Sequence, residues 1–143
     1  MKHILFLCAG NTCRSPMAAG IFNAIAAQKG GDFEAESAGL YAIEGQPAAE
    51  NAVAACREIG VELEGHASRS FAFSMLQNDW VAVPLTHDYA AALLAAGVPR
   101  DRLWIPEQPV FDPFGGDLEC YRRCRTQLEG LCDTLYEELE RRG

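Results

Sequence analysis

Two hydrophobic periods alternate along the chain. Residues 3–7 are a short apolar run with β-branched Ile4, and a loop containing Gly10 follows. Such a run reads as a strand buried on both faces. From about residue 15 to 29 the spacing lengthens. Met17, Ile21, Ile25 and many alanines mark a helix, with Pro16 in its first turn and Gly30 and Gly31 as its stop. Residues 33–38 form a second strand. Residues 47–59 form a helix on Ala48, Ala52, Val53, Cys56 and Ile59, stopped by Gly60. Residues 69–77 read as a further helix. Residues 79–85 read as a strand, with Pro84 near its end, where a missing N–H does least harm. Residues 87–96 are helical up to Gly97, and 102–105 are a short last strand. Leu118, Tyr121, Cys124, Leu128, Leu131, Leu135 and Leu139 recur at intervals of three and four, which predicts a long amphipathic helix ending near Gly143.

Strands alternating with helices predict an α/β fold: a three-layer sandwich with a four-stranded parallel sheet and helices on both faces. Ligands of such sheets sit beyond the carboxyl ends of the strands. The loop after the first strand, residues 9–13, is therefore where chemistry is expected, as a phosphate-binding loop. No repeat, low-complexity tract or linker interrupts the chain, and 143 residues fit one domain, 1–143.

Composition narrows the function classes. The formal net charge of −8 argues against broad binding to nucleic acid or anionic membrane. No apolar run is long enough to span a bilayer. The opening stretch has too short an apolar run for a signal peptide, since polar Asn11, Thr12 and Arg14 follow at once. A cytoplasmic, reducing location is expected. There the six cysteines are free thiols rather than a disulfide framework. Cys120, Cys124 and Cys132 lack a paired metal knuckle and share one helical face, so they read as core rather than as a zinc site.

The loop reads Cys8-Ala9-Gly10-Asn11-Thr12-Cys13-Arg14-Ser15-Pro16. Between a strand and a helix, successive backbone N–H groups form an anion cradle, and the helix N-terminus adds favourable potential. Gly10 and Asn11 both tolerate the left-handed backbone that a tight cradle needs. A cysteine here is placed to react as thiolate. An arginine six residues on can return to the same anion with two donors.

This Cys-x5-Arg string resembles the signature of the low-molecular-weight protein tyrosine phosphatase family. The resemblance extends through Ser37-Ala38-Gly39, His66 with Arg69, and Asp112-Pro113-Phe114-Gly115-Gly116. It implies a phosphoprotein phosphatase with Cys8 as nucleophile. Ala9, Gly10, Asn11, Thr12, Cys13, Arg14 and Ser15 would hold the phosphoryl group, and Asp112 would be the general acid. Ser15 would also donate to the Cys8 sulfur; the plainer reading is a helix N-cap, and the two roles are compatible. Asn11, Ser37 and His66 would brace the loop. Cys13 is either a redox partner of Cys8 or a small packing residue. Asp117 is a second candidate for the acid, but reads better as a cap of the last helix. The expected partners are a phosphorylated protein and free phosphate or another oxyanion, with no nucleic acid and no membrane. The chemistry needs no metal and no organic cofactor, and the oligomeric state is not legible.

Thr12 bears on the substrate. Tyrosine-specific members carry Ile or Leu there, whereas the bacterial protein-arginine phosphatase branch carries threonine. Tyr41, after Ser-Ala-Gly, stands where that branch has an aromatic pocket wall. Phosphoarginine is therefore expected, with phosphotyrosine as the alternative and Thr12 as β-branched filler in that case. Two departures from the family pattern stand out: Val83-Pro84-Leu85-Thr86-His87, one residue shorter than usual, and Ala19-Gly20 where a Glu-containing pair is frequent. Arsenate reduction is disfavoured because no cysteine lies between Cys56 and Cys120. A phosphate-binding module without catalysis would not need Cys8, Arg14 and Asp112 together, and a flavodoxin-type flavin domain would not need Cys8 with Arg14.

Overall fold

The computed structural model describes residues 2–77 and 79–142; residue 143, near which the last helix is expected to end, lies outside them. Strands β1 (Lys2–Cys8), β2 (Phe33–Gly39) and β3 (Val81–Pro84) form a parallel sheet in the order β2-β1-β3. Its register pairs Cys8 with Gly39 and Leu7 with Pro84, so the carboxyl ends of all three strands finish together. Helices α1 (Arg14–Lys29), α2 (Glu50–Arg57), α3 (His87–Ala95) and α4 (Leu118–Arg142) complete the fold.

The unbroken apolar run of β1 has the expected cause. Ile4, Phe6 and Cys8 point into one cluster with Met17, Phe22, Leu128, Cys132 and Leu135. Leu5 and Leu7 point into a second cluster with Leu93, Val98 and Leu103. Alternate side chains of a strand leave opposite faces, so both must be apolar when both are covered. Cys124 and Cys132 are fully buried in the first cluster, and all six cysteines are free thiols. Gly20 is explained by packing, because a Cβ there would lie 2.8 Å from Val61 and 2.9 Å from Leu63.

Three expected elements differ. The sheet has three strands rather than four. The 102–105 segment makes one bridge, Leu103 to Ala82, with Trp104 N–H donating to the Ala82 carbonyl at 2.9 Å. The next ladder donor would be residue 106, a proline without an N–H. The 69–77 segment is no α-helix. Its backbone runs beside the end of β2, with Gly39 N–H donating to Arg69 O and Phe71 N–H donating to Gly39 O, and only Phe73–Met75 forms a single turn. These groups are spent across the sheet edge and are lost to i→i−4 bonds. Helix α2 begins at Glu50 rather than residue 47, because extended Ala49 donates its N–H to the Thr12 carbonyl at 2.8 Å.

Candidate active site

Cys8 ends β1, and residues 9–13 turn back to Arg14 at the start of α1. The end of β2 closes this loop from the side. Leu40 N–H donates to Cys8 O and Tyr41 N–H donates to Ala9 O, each at 2.9 Å. Gly39 permits the approach: a Cβ there would sit 2.5 Å from Ala9 O and 2.8 Å from Ala42 Cβ. Of the two residues expected to take a left-handed backbone, Asn11 does so, at φ 59°, and Gly10 does not.

Asn11 is completely buried and organises the loop. Its Oδ1 accepts from Arg69 N–H at 2.9 Å, and its Nδ2 donates to Ser15 Oγ at 2.8 Å and Ser37 Oγ at 2.9 Å. Because Arg69 N–H can only donate, the amide has one orientation. Ser15 Oγ therefore receives a hydrogen bond from Asn11, and its own proton is free for Cys8 Sγ, 2.9 Å away. The order of donation is Asn11 to Ser15 to Cys8, which delivers a hydroxyl hydrogen to the sulfur. His66 Nε2 lies 2.6 Å from the Asn11 carbonyl and completes the brace.

Arg14 is only 6% exposed. Its Nη1 donates to Val110 O at 3.4 Å, its Nη2 lies 3.6 Å from Asp112 Oδ2, and its guanidinium lies 6.0 Å from the Tyr89 ring centre. A buried arginine is held by such partners and keeps remaining donors for an anion. The 83–87 segment supports this arrangement. Leu85 donates its N–H to Leu7 O and accepts from Val110 N–H, each at 3.0 Å, and Thr86 caps α3 through Tyr89 N–H. The backbone of Val110 thus ties Leu85 to Arg14. Asp112 is half exposed, and its Oδ1 accepts Phe114 N–H at 3.1 Å, a local turn that aims the carboxylate.

A cavity of about 300 Å³ opens here, lined by residues 8–14, Tyr41, Asp112 and Phe114. It gathers Cys8, Ala9, Gly10, Asn11, Thr12, Cys13, Arg14, Tyr41 and Asp112, all expected at the site. Ser15, expected among the phosphate-binding residues, lies behind the loop and off the cavity wall. It is not the N-cap either, since α1 begins at Arg14 with Cys13 at the cap. Ser37 and His66 are likewise behind the wall. Asp117 accepts Cys120 N–H at 3.0 Å, and this bond holds its carboxyl below the usual range, as suits a helix cap.

Three participants are not legible in the sequence: Val110 through its carbonyl, Tyr89 beside Arg14, and Tyr121. Phe114, part of the string that begins at Asp112, stands on the cavity rim. A carbonyl carries no sequence signal, and Tyr121 sits on the apolar stripe of α4, where it reads as core. Its hydroxyl lies 3.3 Å from Cys13 Sγ. Burial and then this bond push the Tyr121 phenol well above its ordinary range, so it stays protonated. Burial also pushes the Cys124 thiol up to about 12 despite Arg14 nearby, which leaves it unreactive. Among the described residues no group of three or more His, Cys, Asp or Glu is placed to hold a metal ion.

The family model described as low molecular weight phosphotyrosine protein phosphatase matches residues 3–143. A protein-arginine-phosphatase of Bacillus subtilis (strain 168) is 32% identical over 146 residues, covering 96% of this chain and 97% of its own length. A crystal structure of a low molecular weight protein tyrosine phosphatase from T. tengcongensis superposes with a TM-score of 0.91 at 36% identity, covering 96% of this chain and 99% of that one. A mutant of the arginine phosphatase YwlE, with a phosphorylated active-site serine, superposes with a TM-score of 0.89 at 31% identity, covering 96% and 95%.

Proposed function

The chain belongs to the low molecular weight phosphotyrosine protein phosphatase family, and from that premise we propose that it hydrolyses phosphoarginine in proteins through a phosphocysteine at Cys8. One observation carries the reading: the Cys8 sulfur, the buried Arg14 guanidinium and the Asp112 carboxylate converge on one cavity of about 300 Å³. The Cys8 thiolate attacks phosphorus, and the bond from phosphorus to the guanidino nitrogen breaks in line. Loop N–H groups and Arg14 hold the equatorial oxygens. Asp112, protonated at the start, gives its proton to the departing nitrogen. It then takes one from the water that attacks phosphorus, as the S–P bond breaks and thiolate and phosphate form. The phosphorylated active-site residue of the YwlE mutant accords with a covalent intermediate at this position.

Thr12 supports the arginine reading. It lies on the cavity wall, where a threonine leaves more room than an isoleucine and adds a hydroxyl for a guanidino nitrogen or the attacking water. Phosphotyrosine is the second reading. The exposed rings of Tyr41 and Phe114 flank the mouth and suit an aromatic leaving group, and the T. tengcongensis structure is of a tyrosine phosphatase. The two apolar clusters on the faces of β1 support a three-layer sandwich, residues 1–143 as one domain, and 9–13 as a phosphate-binding loop. The partners of this reading are a phosphorylated protein and phosphate, in the cytoplasm, without metal, cofactor, nucleic acid or membrane. No helix among the described residues is long and apolar enough to cross a membrane.

The test compares phosphoarginine and phosphotyrosine peptides on the wild type and Thr12→Ile, with Cys8→Ser as blank. A wild-type preference for phosphoarginine that Thr12→Ile moves toward phosphotyrosine is expected. Phosphotyrosine preference in the wild type selects the second reading. Turnover by Cys8→Ser rules out the covalent route.

A further inference from the structure

We propose that Tyr121 is a specificity-positioning residue, which sets the Thr12 hydroxyl through a buried chain running Tyr121 to Cys13 to Thr12. The inference rests on the reading of Thr12 as the selectivity element. Tyr121 Oη lies 3.3 Å from Cys13 Sγ, and Cys13 Sγ lies 3.8 Å from Thr12 Oγ1. Tyr121 and Cys13 are 4% and 6% exposed, so water does not substitute for either partner. Cys13 Sγ is the hydrogen-bond partner found for the tyrosine hydroxyl among the described residues. A buried hydroxyl that leaves its proton unused loses stability, which makes the tyrosine the donor. The single Cys13 S–H then turns to Thr12 Oγ1, and the Thr12 hydroxyl hydrogen is left for the cavity that Thr12 and Cys13 both line.

The same chain joins two parts of the site. Tyr121 lies in the first turn of α4, directly after the segment that carries Asp112. Cys13 is the last residue of the loop before Arg14. A thiol is a weak, adaptable link, so it transmits an orientation without stiffening the loop. Tyr121 touches neither phosphate nor leaving group and acts on discrimination alone.

The experiment measures kcat/KM for phosphoarginine and phosphotyrosine peptides on the wild type, Thr12→Val, Tyr121→Phe, Cys13→Ala and the Tyr121→Phe/Cys13→Ala double variant. Thr12→Val keeps the shape of threonine and removes its hydroxyl. The expected result is that all four variants shift the ratio of the two kcat/KM values in the same direction, by about threefold to tenfold for a lost hydrogen bond. The double variant shifts it no further than either single, because one chain is broken once. If Thr12→Val shifts the ratio while Tyr121→Phe and Cys13→Ala lower both substrates equally, Tyr121 is only structural and the proposal is overturned. If Thr12→Val leaves the ratio unchanged, the Thr12 reading itself falls, and the proposal with it. Melting temperatures of the variants separate a change in ratio from a change in folded fraction, which scales both substrates alike.

Discussion

Replacing Asn11 by alanine tests whether the loop is held as described. The side chain makes three hydrogen bonds to buried or half-buried partners, namely Ser15, Ser37 and the Arg69 N–H. Each contributes about 1 kcal/mol net, and the Arg69 N–H has no freedom to find another partner. The residue also sits at φ 59°, where alanine costs about 1 kcal/mol more than asparagine or glycine. Together the substitution is worth about 3–5 kcal/mol, a large share of the stability of a single domain. For a chain of this size that corresponds to a melting temperature lower by about 10–15 °C. Asn11→Gly loses the same bonds without the backbone strain, so it recovers about 1 kcal/mol relative to alanine. Thermal and urea unfolding of the three proteins measure both differences. Because Asn11 braces the loop rather than choosing the substrate, kcat/KM falls alike on phosphoarginine and phosphotyrosine peptides. A cost below about 1 kcal/mol for Asn11→Ala would refute the hub. A glycine variant no more stable than the alanine one would refute the strain.

Asp112→Ala is expected to slow substrates with poor leaving groups by at least about a hundredfold, the usual scale of general acid catalysis, and aryl phosphates with good leaving groups far less; equal losses on both would remove Asp112 from the acid role. Between the end of α2 and α4, hydrogen bonds from Arg122 and then Arg125 hold the Glu58 carboxyl down to about 2, against an ordinary 4.5. A carboxyl whose folded pKa is depressed stabilises the fold above its unfolded pKa and loses that contribution as pH falls through the folded one. Glu58→Gln should therefore flatten the fall in melting temperature between pH 4.5 and 2. An unchanged slope in that window would mean that the α2–α4 ion pairs contribute nothing to folding.

Where each part of the site became legible follows from how far its partners lie along the chain. Cys8, Asn11, Thr12 and Arg14 fall within seven residues between an apolar run and a helix, so local spacing carries their relationship. Gly39 is visible in the sequence as part of a string, but its reason is the 2.5 Å approach to Ala9 O, a contact between the end of β2 and the loop after β1. Ser15 reads in the sequence as a phosphate ligand, a helix cap and a donor to the Cys8 sulfur, and the structure keeps only its place beside that sulfur. Asn11 bonds it from one side and leaves its proton for Cys8 on the other.

The one-dimensional order of residues by itself determined the parallel α/β arrangement, the loop between β1 and α1 and the spacing of Cys8 and Arg14 across it. Each depends on periodicity and short-range spacing, which backbone geometry translates directly into structure. Tertiary structure alone decided the rest. A proline without an N–H leaves the fourth strand as a single bridge, and cross-sheet bonds to Gly39 keep 69–77 from becoming a helix. Arg14 meets Val110 and Asp112 across nearly a hundred residues of chain, and Tyr121 meets Cys13 across 108. Such contacts exist only after packing has chosen which distant groups share the interior, and a buried polar group then takes whichever partner the fold delivers.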